Sequence, residues 1–367
     1  MEHGAMGGNF DQARDFFRRG VAHYEAGEYA AAERDFAAAL DLVPGRVSAL
    51  TNLGAVRLKL GRPAQAAALL DEALAQEPGN IEALRHRAAA LAELGQLEPA
   101  LASIDQALQV QPGNAAAWTL RGSLLRSLGR SAEAAQAYRA GAANGDDSAL
   151  NRYFLASLGG VAAPRHAPRE YVESLFDGYS QEFDAHLVQV LRYRAPERLV
   201  QGLAGVRADA ALDLGCGTGL CGQLLRPMAA RLDGVDLSAN MVERARAAGW
   251  YDEVVHADAA EYLHATPRRY DLVAAADVFI YVGALEQIFA GVARVMPPGG
   301  RFCFCVELAP PGSDLVLQPS LRYAHSAASI RELARQSGFD IAAASEWPIR
   351  EDQGVPVAGL FAWLVRQ

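Results

Sequence analysis

The sequence predicts two units of different class: an α-solenoid of stacked helix pairs in the first half, then a doubly wound, mostly parallel α/β sheet in the second. Three observations carry this expectation. Gly27, Gly61, Gly95 and Gly129 stand 34 residues apart, and so do Pro44, Pro78 and Pro112. Two independent registers of that period, each punctuating helical pattern, mark stacked helix pairs. Beyond residue 170, apolar strand-like runs alternate with amphipathic helical ones, the order that builds parallel βαβ units. The first of those strands leads directly into a glycine loop, Asp213-Leu-Gly215-Cys-Gly217-Thr-Gly219.

A chain of 367 residues exceeds what one hydrophobic core usually serves, which already favours two domains. Its 51% hydrophobic and 21% charged residues are ample for folding, and no window reads as a membrane span. A net charge of −9 excludes general nucleic-acid affinity, which needs clustered Lys and Arg. The start, MEHGAMGGNF, lacks the basic and apolar regions of a secretion signal, and residues 1–12 are expected to form a disordered tail. Four cysteines occur as Cys216/Cys221 and Cys303/Cys305, a number and spacing that suggest neither a disulfide framework nor a metal site. Cys303 and Cys305 alternate within RFCFCVEL, so both are expected on one face of a buried strand. Free thiols fit a reducing compartment, and a cytoplasmic location is expected.

Residues 13–158 hold the repeats. Small residues recur at fixed places: Gly20, Ala32 and Ala39 in the first, Gly54, Ala66 and Ala73 in the second, Ala88, Ala100 and Ala107 in the third, and Gly122, Ala134 and Gly141 in the fourth. Small side chains let paired helices approach, and Pro ends the second helix of each pair. Large residues at Phe16, Leu50, Leu84 and Trp118, and at Phe36, Leu70, Ile104 and Tyr138, are expected to fill the stack. Residues 149–158 supply a capping helix. This pattern resembles the tetratricopeptide-repeat (TPR) family. That resemblance implies a groove for a protein or peptide, with Arg85 and Arg126 on inward positions as candidate contacts; self-association of the array is the alternative.

Residues 159–169, GGVAAPRHAPR, have no hydrophobic period and are expected to be a linker. From 170 to 367, seven strands are expected at 211–215, 231–237, 253–258, 270–278, 301–308, 339–346 and 357–365. In such a sheet the ligand lies at the carboxyl edges of the strands. In the glycine loop, residues without Cβ let the backbone pass close to a cofactor. The dinucleotide pattern G-x-G-x-x-G fails because its last glycine falls at Leu220. Three acids end three successive strands: Asp213, Asp236 and Asp258, each with a helix-cap or strand-end role as the plainer reading.

The pattern D-x-G-x-G-x-G resembles motif I of class I S-adenosylmethionine (SAM)-dependent methyltransferases, and seven strands ending in a close pair resemble their Rossmann-like fold. The resemblance implies SAM as cofactor, held by Asp213, Gly215, Cys216, Gly217 and Gly219, by Asp236 on the ribose with Leu237 and Met241 beside the nucleoside, and by Asp258 and Ala259 at the adenine. Tyr171 and the segment from Phe176 through Tyr179 to His186 resemble the helix that covers SAM in trans-aconitate-type methyltransferases. Together with Leu191-Arg-Tyr193 and Arg322-Tyr323-Ala-His325, they resemble a bacterial family of predicted methyltransferases containing TPR repeats. That family implies no particular substrate.

Methyl transfer from a sulfonium is an in-line displacement, so the protein chiefly aligns the reactants and excludes water. After the fourth strand, Asp277-Val-Phe-Ile280-Tyr281 stands where many small-molecule methyltransferases carry an acid and then a His. Asp277 is counted with the cofactor site, and Tyr281, with an ordinary pKa near ~10, suits orientation of an acceptor better than its deprotonation. His186 and His325 are the candidate bases. The function expected is methylation of a protein or peptide recruited by the TPR array. The alternatives are a small metabolite with an array that serves assembly, and a non-catalytic scaffold that retains a SAM site.

Overall fold

The computed structural model describes residues 2–177, 186–352 and 354–367, with side chains described for residues 9–176, 187, 189–352 and 354–367. The chain divides into two units, Met1–Leu158 and Gly159–Gln367.

The first unit is all helical: α1 (Glu2–Glu25), α2 (Tyr29–Leu42), α3 (Val47–Lys59), α4 (Pro63–Gln76), α5 (Ile81–Glu93), α6 (Leu97–Val110), α7 (Ala115–Ser127), α8 (Ser131–Ala143) and α9 (Ala149–Ser157). Each repeat is one antiparallel pair, and each pair packs on the next. Why the small residues are needed is visible atom by atom. A Cβ on Gly20, Gly54 or Gly122 would lie 2.8, 2.8 or 2.6 Å from Phe36, Leu70 or Tyr138. Those large partners and Ile104 are wholly buried. The four turn glycines serve otherwise: Gly27, Gly61, Gly95 and Gly129 hold φ between 69° and 76° with no atom within 4 Å of a Cβ, so each closes a helix in the left-handed conformation. Neighbouring repeats are also joined by Arg87 to Asp71 and Arg121 to Asp105, both at 2.6 Å.

Two expectations change here. The tail expected at residues 1–12 is helical from Glu2 onward, as the front of α1. Its glycines lower helix propensity, but no proline interrupts the run. Phe16 and Trp118 are only half-buried. They belong to the first and last repeats, where Arg19 and Arg121 cover their rings at 4.6 and 5.7 Å in place of a further layer.

The second unit is a nine-stranded sheet: β1 (Ala208–Leu214), β2 (Ala229–Asp236), β3 (Glu253–His256), β4 (Leu272–Ala275), β5 (Arg301–Leu308), β6 (Leu315–Leu317), β7 (Tyr323–His325), β8 (Phe339–Asp352) and β9 (Val355–Arg366). Strands β3-β2-β1-β4-β5 are neighbours in parallel, so their carboxyl ends share one edge. Antiparallel β9 then covers β5 along its length, with β8 outside it. The helices are α10 (Arg169–Asp177), α11 (Ala195–Gln201), α12 (Leu220–Leu225), α13 (Ala239–Ala248), α14 (Ala259–Ala265), α15 (Glu286–Val295) and α16 (Ala327–Gln336), with a short π-helical turn at His186–Val190. Phe279, Phe289, Phe302 and Phe304 build the core on one face, with ring centroids 4.8 to 6.3 Å apart. Cys303 and Cys305 face the other way beside Cys221 and Trp363. All four thiols are free and buried.

The hairpin β6–β7 lies beyond the seven strands expected. Strand β7 pairs in parallel with the tip of β5, Glu307 and Leu308, and β6 pairs with β7. Three-residue strands leave too few alternations to be read as a period. The expected linker is a further correction. Residues from Gly159 belong to the second unit, where the Ala167 N–H donates to Tyr281 at 2.9 Å, the Ala284 N–H to Arg165 at 2.7 Å, and the Tyr323 hydroxyl to Pro164 at 2.7 Å. Its Pro and Gly content signals irregular backbone, not absence of packing.

Candidate functional site

A cavity of about 950 Å³ runs along the carboxyl edge of β1, β2, β3 and β4. Its floor is the glycine loop. The N–H groups of Gly215 and Cys216 donate to the Val235 carbonyl at 2.7 and 2.9 Å, which turns the chain sharply off β1. Gly215 has φ 72°, and a Cβ there would lie 2.4 Å from Val278, so only glycine fits. Gly217 has φ 54° and open space where a Cβ would point, a cradle that any side chain would begin to fill. Gly219, at φ 101°, instead starts α12 with its Cβ position toward Tyr251 and Trp250, and it does not line the cavity.

The three acids part company. Asp236, at the end of β2, lines the cavity; its two oxygens accept the Gly217 and Ser238 N–H groups at 2.8 and 2.9 Å. Burial raises its pKa above the usual carboxylate range against those hydrogen bonds. The Leu237 N–H is a third backbone donor to this carboxylate. Asp258 also lines the cavity and caps α14, its Oδ1 accepting the Ala260 and Glu261 N–H groups at 2.8 and 3.1 Å. Asp213 does not reach the cavity. It lies fully buried beneath the loop, where the Tyr251 hydroxyl donates to Oδ2 at 2.7 Å and Oδ1 has no partner among the described residues. Burial pushes its pKa up to about 7. Cys216, Leu237, Met241 and Ala259 line the cavity.

Tyr171 does not line it. Arg169, Val172, Leu175 and Phe176 do, and their spacing of three, six and seven residues makes one stripe of α10 from which Tyr171 is offset. Tyr179 lies outside the described residues, as does the side chain of His186.

Tyr281 sits at the other end, its ring 5.7 Å edge-on from Phe176. Burial pushes its pKa up to about 12, opposed by the Arg322 guanidinium, which acts on it as a charge and as a hydrogen-bond partner. His325 is a correction: it is 4% exposed, does not line the cavity, and is held by the Gly283 carbonyl 3.1 Å from Nε2. Burial keeps its pKa below the usual histidine value. The alternation Tyr-Ala-His puts it on the inner side of β7, so it braces the backbone just beyond Tyr281 from behind.

Asp277 has φ 57°, a conformation rare for a residue with a Cβ. Arg350 from β8 donates to its Oδ2 at 2.5 Å and also pairs with Glu307, whose other oxygen takes Gln318 at 2.7 Å. Asp277 Oδ1 has no partner among the described residues. Arg322, Arg350, Arg165 and His166 all line this end, and none was singled out from the sequence as a site residue. Arg322 stood inside a segment noted only for its resemblance; Arg350 reaches the site through strand pairing, which no local pattern signals. Among the described residues no cluster of His, Cys, Asp and Glu is placed to hold a metal, and no helix is long and apolar enough to cross a membrane.

Residues 212–304 match a methyltransferase domain model, and residues 17–81, 57–124 and 115–142 match tetratricopeptide-repeat models. A ubiquinone biosynthesis O-methyltransferase of Thiobacillus denitrificans is 25% identical over 189 residues, 47% of this chain and 80% of that protein. One from Proteus mirabilis is 28% identical over 127 residues, 32% of this chain, and the match spans about half of that protein, 49%. Among solved structures, a magnesium protoporphyrin IX methyltransferase of Synechocystis with bound S-adenosylhomocysteine is similar over 54% of this chain and 97% of that one, at 19% identity and a TM-score of 0.41.

Proposed function

We propose that this chain, a SAM-dependent methyltransferase carrying tetratricopeptide repeats, methylates an oxygen of a small molecule held in the cavity of its second unit. The observation that carries this reading is the cavity itself. At about 950 Å³ it lies near the upper end of small-molecule sites, ~300–1,000 Å³, and it continues past the acid-lined end to Tyr281 and Arg322. The relatives named as O-methyltransferases support the attacking atom.

The residues present fit SAM. Asp236 lines the cavity as an acceptor for the ribose hydroxyls, Asp258 for the adenine amino group, and the space above Gly217 admits the chain of the amino acid. Leu237 and Met241 offer apolar walls to the nucleoside, with Gly215 and Cys216 at the turn beneath it. Asp213 and Gly219 act from behind the loop. When bound, SAM supplies an electrophilic methyl group on a positively charged sulfur. Tyr281, with its pKa pushed up to about 12, stays protonated at neutral pH and orients the acceptor by hydrogen bonding. Asp277, fixed by Arg350 through one oxygen, lines the same end of the cavity. Phe176, Leu187 and Leu191 keep that end dry.

The repeats are proposed to bind a protein partner, the usual role of such arrays, without presenting the methyl acceptor. The two expected groove contacts are partly committed: Arg85 donates to Glu82 at 2.6 Å, and Arg126 lies over Phe154 at 5.6 Å. Incubation of the full chain with tritiated SAM and an extract of its source, followed by ultrafiltration, tests the reading. Label is expected in a small molecule of the filtrate that separates from SAM itself on chromatography and is absent without the protein. Label confined to polypeptide would replace it with the protein acceptor expected from the sequence.

A further inference from the structure

The hairpin β6–β7 places a cation at the acceptor end of the cavity, and its construction is unusual. Leu321, just before Arg322, has φ 64° and is 2% exposed. A branched apolar residue in the left-handed region is strained and persists only where its surroundings hold it. Here the turn is closed by the Gln318 N–H to Arg322 and the Leu321 N–H to Gln318, both at 2.9 Å. It is tied to β5 by Gln318 on Glu307 at 2.7 Å, and to the segment before α10 by Tyr323 on Pro164 at 2.7 Å. The residue so fixed, Arg322, lines the cavity beside Tyr281. Among the described residues its carboxylate partner is Asp352, 3.7 Å away and half-exposed, too far for a hydrogen bond. The neighbouring cations are better matched: Arg165 donates to Glu286 at 3.2 Å, Arg169 to Glu173 at 2.7 Å, and Arg350 is saturated by Asp277 and Glu307.

Both signs of charge occur along the cavity, Arg169 and Arg294 lying near Asp258 and Glu261 at one end and Asp277 lying with Arg350 at the other, and Arg322 is the arginine there with the weakest carboxylate contact among the described residues. A guanidinium presents a planar fork of donors that matches a carboxylate in two parallel hydrogen bonds. We propose that the acceptor is a small carboxylate-bearing molecule, and that Arg322 is the specificity-determining residue that pairs with its carboxylate while Tyr281 orients the oxygen to be methylated. This rests on the small-molecule reading and narrows it.

The test uses the full chain saturated with S-adenosylhomocysteine and titrates two probes that differ in charge and by one methyl group, 4-hydroxybenzoate and its methyl ester, by calorimetry. The acid is expected to bind at least about tenfold more tightly than the ester, and Arg322→Gln to erase that ratio while leaving the ester and S-adenosylhomocysteine unchanged. The conservative Arg322→Lys is expected to restore part of it. Equal binding of acid and ester would overturn the charge selection and leave a small-molecule site standing. Loss of S-adenosylhomocysteine affinity in Arg322→Gln would show that the arginine holds the cofactor's own carboxylate instead, and would overturn the proposal. Failure of both probes to bind, together with labelled polypeptide in the SAM experiment above, would bring down the proposal and the small-molecule reading at once.

Discussion

The repeat unit and the α/β unit both depend on glycine, yet for opposite ends. In the repeats, Gly20, Gly54 and Gly122 make room for Phe36, Leu70 and Tyr138, so the same contact recurs in three of the four, with Ala88 in the third. In the α/β unit, Gly215 clears Val278 while Gly217 leaves space that none of the described residues fills. The repeats use their small residues for packing, whereas the loop leaves one facing open space. Buried charge divides the same way. Ion pairs between repeats lie near the surface, such as Arg121 with Asp105, whereas Arg350 is 3% exposed between two carboxylates.

The contrast breaks most severely at Arg350. Arg350→Met leaves Asp277 and Glu307 buried without their cation, and a loss of about 3–5 kcal/mol is expected, confined to the second unit. Calorimetry should show one transition falling and the transition of the repeats unmoved. A comparable fall of both would mean that the units do not unfold separately.

Asp213 sharpens the comparison through pH. Its folded-state pKa of about 7 lies above the unfolded value of 3.8, so as pH rises the unfolded chain releases its proton first. Its contribution to stability is therefore whole below about 4 and is lost as pH climbs through about 7, a total on the order of 4 kcal/mol. His325, held below its ordinary pKa, works oppositely: stability is lost as pH falls below its unfolded value of 6.5. Asp213→Asn isolates the first effect. The second transition of this variant should decline less than that of the parent between pH 5 and pH 8, and an unchanged pH slope would exclude Asp213 as its source.

How much of this was legible depended on whether the signal was local. The turn glycines and the small-residue register announced the repeats because each unit meets only its neighbour. The loop from Asp213 to Gly219, and Asp236 and Asp258 at successive strand ends, were readable because parallel strands bring their ends together by topology. What escaped was assembled from distant chain. Arg322 arrives on a hairpin of three-residue strands, Arg350 comes from β8, and the stretch from Pro164 to Ala167 is bound to Tyr281 and Tyr323 although its composition read as linker. His325 was misassigned because a histidine's chemistry is visible in sequence, whereas its burial behind the cavity is not.

A smaller effect marks the other side of the comparison. Gly122→Ala places a methyl group 2.6 Å from the Tyr138 ring. Overpacking of that kind costs about 1–3 kcal/mol, and it should lower the melting of the repeats alone.

That variant and Arg350→Met identify the two transitions, which allows the measurement closest to the central claim that cofactor chemistry belongs wholly to the second unit. The full chain is scanned with S-adenosylhomocysteine at about 100 times its dissociation constant, where a ligand bound only to folded protein stabilises it by about 2.7 kcal/mol. The transition assigned to the second unit should rise and the other should stay, and Asp236→Ala should remove the rise. Movement of the repeat transition instead, or an undiminished rise in Asp236→Ala, would contradict the placement of the cofactor between the glycine loop and Asp236.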